Sequence, residues 1–168
     1  MVASEARKTV YYKRARFVTH LPVERLYTAS HQWIAQEEAG LWRIGFTKFA
    51  TRMLGDLVEF GFQVEVGDRV EIGQTIGWIE GFKALSDLFS VASGEFAGGN
   101  PELEADVTLI DSDPYGRGWL YRVRGEPEPG GVDVHGYVGI LDGTIDEMRR
   151  KQSEAGKEKE AGKEEEDE

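Results

Sequence analysis

Between residues 41 and 123 the apolar residues fall in short runs, each cut off by a turn signal after only a few positions. No stretch there is long enough for an extended amphipathic helix, and the spacing predicts strands at Leu41–Gly45, Leu57–Phe62, Arg69–Ile72, Thr75–Glu80, Leu85–Val91 and Trp119–Val123. Val66-Gly67-Asp68, Ile72-Gly73-Gln74 and Ala92-Ser93-Gly94 read as the turns between them. With 21 glycines in 168 residues and a turn about every ten positions, the pattern predicts a β sandwich or barrel.

Three helical segments interrupt the strands. Phe46, Phe49, Ala50, Met53 and Leu54 share one face, with Thr47 as N-cap and Gly55 as stop. Pro101-Glu102-Leu103-Glu104 reads as one turn capped by Asn100. Val134, Tyr137, Val138, Leu141, Ile145 and Met148 repeat at helical spacing after Asp133 and predict a C-terminal helix across the sandwich.

The flanks differ in composition. Residues 1–25 form a basic arm, whose first 18 or so positions carry Arg7, Lys8, Lys13, Arg14 and Arg16 against only Glu5, read either as a solvated lead-in or as a docking segment. Residues 149–168 carry 6 basic and 8 acidic side chains and no aromatic or β-branched residue. They can bury no face and are expected to be a frayed helix extension or disordered. This leaves residues 26–148 as one domain.

Charge and missing residue types exclude several functions. A net charge of −11 argues against nucleic acid. The apolar runs are too short to span a bilayer or to act as a secretory signal, so a cytoplasmic location and no membrane association are expected. The chain has no cysteine, so thiol chemistry would need an attached group. Asp111-Ser112-Asp113 opens like a calcium loop, but Tyr115 and Arg122 stand where ligands belong. Gly116-Arg117-Gly118 lacks the third glycine of a dinucleotide fingerprint. His20, His31 and His135 are too scattered for a zinc helix, and no serine sits in a nucleophile elbow.

The remaining feature is Gly77 to Phe89, two alternating segments meeting at a short polar centre that holds Lys83. A hairpin there presents the lysine at its tip, with Gly81 free to take the backbone angles of the turn. On spacing alone, an exposed lysine in a turn is ordinary.

The run Glu80-Gly81-Phe82-Lys83-Ala84-Leu85-Ser86-Asp87 resembles the modification hairpin of the glycine cleavage H-protein family, Glu-x-x-Lys-Ala-x-Ser-Asp. Tyr27-Thr28-Ala29-Ser30-His31-Gln32-Trp33, Gly45-Phe46-Thr47 with Leu54-Gly55-Asp56, Ser93-Gly94-Glu95, and Asp113-Pro114-Tyr115-Gly116-Arg117-Gly118-Trp119-Leu120 resemble further segments of that family, in order. The resemblance implies a mainly β fold, a flattened hybrid barrel-sandwich of the lipoyl- and biotinyl-carrier type with peripheral helices. It also implies lipoic acid joined covalently to Lys83, with Glu80, Gly81, Phe82, Ala84, Asp87 and His31 around the cofactor. Biotin fits less well, because Phe82 and Ala84 flank the lysine where methionines are typical.

On this reading the protein is a carrier and not an enzyme, its swinging arm moving cargo between partners. An unmodified docking adaptor on the same fold is the competing class. The implied partners are lipoate-attaching enzymes and, for an aminomethyl cargo, the glycine cleavage enzymes. The alternative is the H-like lipoate-binding branch, which carries sulfur intermediates for a heterodisulfide-reductase-like sulfur-oxidation complex. Phe60 to Glu65, Gly81-Phe82 and the charged flanks resemble that branch. Gln32 stands where the family has glutamate, so an ammonium cargo is expected to be poorly paired and Gln32→Glu to improve it. His31 and Asp87 each have two readings, local structure or the lining of the arm's cleft.

Overall fold

The computed structural model describes residues 7–166. In chain order the elements are β1 (Thr9–Arg14), β2 (Phe17–Pro22), β3 (Leu26–Tyr27), β4 (Gln32–Glu38), β5 (Leu41–Phe46), α1 (Lys48–Leu54), β6 (Leu57–Phe62), β7 (Arg69–Val70) and β8 (Thr75–Gly81). They continue with β9 (Leu85–Phe89), β10 (Ala92–Gly99), α2 (Glu102–Ala105), α3 (Leu109–Ser112), β11 (Tyr121–Pro127) and α4 (Val134–Glu166).

A six-stranded sheet of order β3-β4-β5-β11-β10-β7 faces a three-stranded sheet of order β6-β8-β9, and β1-β2 stands apart as a hairpin. One core fills the space between the two larger sheets, with Ile44, Val123 and Phe96 from one meeting Ile76, Ile79 and Leu88 from the other. A second core lies beneath α4, where Tyr137, Leu141 and Ile145 pack with Tyr27, Trp33, Phe49 and Phe17. This is the barrel-sandwich architecture expected from the sequence, and no helix among the described residues is long and apolar enough to cross a membrane.

Strand β6 has the bounds predicted, whereas β7 and β9 stop short of theirs, and β11 begins at Tyr121 and runs on to Pro127. Ala92-Ser93-Gly94, read as a turn, instead opens strand β10. The glycines there serve close strand approach. A Cβ at Gly94 would lie 2.1 Å from the Arg124 carbonyl oxygen, and one at Gly125 2.0 Å from that of Ser93, so the paired backbones demand glycine without any change of direction.

The basic arm is also corrected. Residues 9–22 form an antiparallel hairpin in full register from Thr9↔Pro22 to Arg14↔Phe17, and Phe17, Thr19 and Leu21 alternate inward. That period-two pattern was hidden by the surrounding charge. The first six residues of the arm lie outside the described residues, as do Asp167 and Glu168 of the tail.

Of the two readings of the charged tail, the helix extension holds and not disorder, since α4 continues through Glu166. A polar sequence cannot pack, but its residues are good helix formers, and Arg150 pairs with Glu147 and Glu154 at helical spacing. Thr47 and Gly55 bound α1 as predicted. Asn100 Oδ1 accepts from the Glu102 amide at the start of α2, and Asp133 Oδ1 accepts from Gly136 at the start of α4. The short helix α3 was not anticipated.

Candidate functional site: a lysine turn beside a basic groove

Strands β8 and β9 pair through Trp78↔Asp87, Ile79↔Ser86 and Glu80↔Leu85, and Gly81 N–H donates to the Ala84 carbonyl at 2.9 Å to close the turn. Phe82 and Lys83 are therefore its two central residues. Neither has a positive φ, so this is not one of the primed turns whose twist matches a free hairpin. External bonds hold it instead. Lys83 N–H donates to the Leu54 carbonyl at 2.8 Å and Phe82 N–H to the Asp56 carbonyl at 2.9 Å.

Two glycines make this contact possible. Gly81 lies so close to the end of α1 that a Cβ would sit 2.1 Å from the Leu54 carbonyl oxygen. Gly55 has φ +76°, and a Cβ there would lie 2.9 Å from Lys83 Cγ. The helix stop and the lysine turn are thus one structure. Beyond it Phe82 and Leu85 are 83% and 72% exposed, and among the described residues Lys83 Nζ makes no hydrogen bond or ion pair.

Lys83 stands between two cavities. The larger, of about 640 Å³, has an apolar floor of Phe17, Phe49, Met53, Ile145 and Met148, and its rim carries Arg14, Arg16, Arg52 and Arg149. One wall is the β1-β2 turn, which is fastened to α4. Tyr12 Oη donates to Asp142 at 2.8 Å, and Arg14 grips Asp146 through two bonds of 2.9 and 2.8 Å. Phe17 meets the Phe49 ring edge-on at 5.4 Å.

The smaller cavity, about 310 Å³, is bordered by Asp56 and Asp111 and by Lys48 and Arg52, the last shared with the larger one. Lys48 Nζ lies 2.8 Å from Asp111 Oδ1. Burial raises the Asp111 pKa, but the bonds from Lys48 and Thr51 outweigh it and hold the carboxyl below its ordinary value.

Of the residues picked out in the sequence, Gly81, Phe82, Lys83 and Ala84 form the turn. Glu80 is half-buried on β8, and Asp87 is exposed on β9 opposite Trp78. Neither lines a cavity that Lys83 borders. His31 lies elsewhere, with φ +64°. Its Nδ1 is 2.8 Å from Tyr137 Oη, which also meets Thr47 Oγ1 at 2.7 Å, and its ring packs 4.7 Å from Phe49. Burial brings its pKa down to about 4, so it is a neutral tie between α4 and the start of α1.

Gln32 does not face the lysine turn. It is buried, with Nε2 donating to the Phe89 carbonyl at 2.8 Å and Oε1 accepting from Tyr121 Oη at 2.8 Å. The expectation that its neutral amide weakens the pairing of a cargo is therefore overturned. What the sequence reading missed is that Arg14 and Arg16 of the basic arm converge with Arg52 and Arg149, which depends on the β1-β2 hairpin and α4 meeting in space.

A flattened barrel-sandwich with a lysine on a braced hairpin tip defines a carrier-type domain. The glycine cleavage H-protein family model matches residues 25–130. The chain is 39% identical over 128 residues to the glycine cleavage system H protein of Aeromonas hydrophila, covering 74% of this chain and 98% of that one. It is 38% identical to the H protein of Shewanella oneidensis, with the same coverage. The crystal structure of a glycine cleavage system H protein from Mycobacterium marinum superposes with a TM-score of 0.64 at 38% identity, covering 71% of this chain and 97% of the other. The chain belongs to the glycine cleavage H-protein family, and membership bears out the expectation of a non-catalytic carrier.

Proposed function

We propose that this protein carries lipoate in amide linkage on Lys83 and presents it to partner enzymes. The observation that supports this best is the Gly81–Ala84 turn, which holds a primary amine clear of the body while two backbone bonds to the end of α1 fix its base. The surroundings fit such a group: a free amine to acylate, glycines that permit the close approach, and an adjoining groove with an apolar floor. When bound, the group supplies a dithiol/disulfide couple that the cysteine-free chain lacks. The chain itself anchors the arm, and Phe82 and Leu85 offer exposed apolar contacts beside it, suited to a lipoate-attaching enzyme.

Family membership favours the glycine cleavage enzymes as partners, with an aminomethyl cargo. A second reading, sulfur transport for a heterodisulfide-reductase-like complex, is favoured by one observation: among the described residues, four arginines and no carboxylate line the larger groove beside Lys83. Peptide-level mass spectrometry of the protein from its native host tests the reading. A lipoyl increment on Lys83 is expected, and an unmodified lysine in cells using the pathway would leave a docking adaptor instead.

A further inference from the structure

The groove beside Lys83 runs against the charge of the whole molecule. On a chain of net charge −11, its rim gathers Arg14, Arg16, Arg52 and Arg149. Arg14 is neutralised by Asp142 at 3.2 Å and Asp146 at 2.8 Å. Arg52 lies 5.8 Å over the Phe17 ring. Among the described residues Arg16, Arg52 and Arg149 make no ion pair within 4.0 Å. Bringing like charges together is unfavourable unless something anionic joins them. Acylating the Lys83 amine removes one further cation from the groove and leaves the arginines in place.

We propose that this groove seats the far end of the Lys83-linked arm when that end bears an anionic group, and rejects a cationic one. The proposal rests on the lipoyl reading of Lys83. Guanidinium groups bind oxyanions and carboxylates through paired N–H donors, while Phe49, Met53 and Met148 cover the apolar chain behind the charge. A cation in the same place meets arginines and, among the described residues that line the groove, no carboxylate. The nearby carboxylates line no part of this groove: Asp142 and Asp146 hold Arg14 from α4, with Arg149 also close enough to act on Asp146, and Asp56 and Asp111 border the smaller cavity together with Lys48 and Arg52. Lys83 thus stands between a hollow rimmed by arginines and one in which Lys48 and Arg52 balance Asp56 and Asp111, and an anionic arm end is matched in the first.

Because the chain has no cysteine, thiol alkylation of the reduced holoprotein marks only the arm. Iodoacetate, iodoacetamide and 2-bromoethylamine give anionic, neutral and cationic ends of similar length. The ε-methyl NMR signals of Met53 and Met148 report occupancy of the groove. The carboxymethyl arm is expected to shift both and to occupy the groove on the order of tenfold more than the carbamidomethyl arm, as one charge-assisted contact would give. The aminoethyl arm should leave them unmoved. Arg52→Gln with Arg149→Gln, and separately high salt, should erase the preference.

Equal shifts for all three ends, or the largest for the aminoethyl end, would overturn the proposal. The mass of the starting protein tests the lipoyl reading by itself. If Lys83 accepts no lipoyl group, both readings fall, and shifts of the same methyls on titrating inorganic sulfate into the unmodified protein would mark a site for free anions instead.

Discussion

The amide of Lys83 donates to the carbonyl of Leu54 at 2.8 Å, so the last turn of a helix and the tip of a hairpin share one hydrogen bond. The lysine's position is therefore set by backbone, and its side chain carries no share of the fold.

From this it follows that Lys83→Arg folds with stability within about 0.5 kcal/mol of the parent, since the side chain is exposed and keeps its charge. It should accept no lipoyl group. Thermal unfolding and intact mass after incubation with a lipoate-attaching enzyme check both halves, and a lowered Tm or a lipoyl increment would contradict the assignment.

Gly81→Ala makes the opposite prediction. Its Cβ would enter the space of the Leu54 carbonyl at 2.1 Å, so the turn must lift from α1. A loss of about 1–3 kcal/mol is expected, with slower modification of an unchanged lysine. Modification at the parent rate would mean that the bracing of the turn is dispensable.

Gln32→Glu is expected to damage the protein without helping any cargo. A carboxylate there would face the Phe89 carbonyl oxygen in a buried site, where Nε2 now donates at 2.8 Å. The cost should be about 2 kcal/mol or more in chemical denaturation. A variant as stable as the parent would show that β9 does not depend on this bond.

Acid should weaken the structure through His31. Its pKa falls from 6.5 to about 4 on folding because burial disfavours the charged form. Between those values the unfolded chain holds a proton that the folded chain does not. Stability is therefore intact above about pH 6.5 and declines as pH falls toward 4. Replacing His31 with Gln should flatten this part of the Tm–pH profile, and an unchanged slope would assign the acid loss to other groups.

Local information in the sequence was enough for the strands beside Lys83, for α1 with its caps Thr47 and Gly55, and for the lysine turn itself. Turn residues and periodicity act over a few positions, so one sequence displays them. The misreadings share a cause. Gly94 signalled a turn when it marked close strand pairing, and the alternation of Phe17, Thr19 and Leu21 was obscured by five neighbouring cations. The rim of the groove was invisible for a different reason: Arg14 and Arg149 acquire a common role only when a hairpin and a distant helix meet.

That meeting sets an order of events. The bonds from Arg14 to Asp146 join residues 132 positions apart, whereas the turn of Lys83 is braced by Leu54, much nearer in sequence. Short-range closures come first in a growing or refolding chain. The lysine turn can therefore be in place while the basic groove has yet to close.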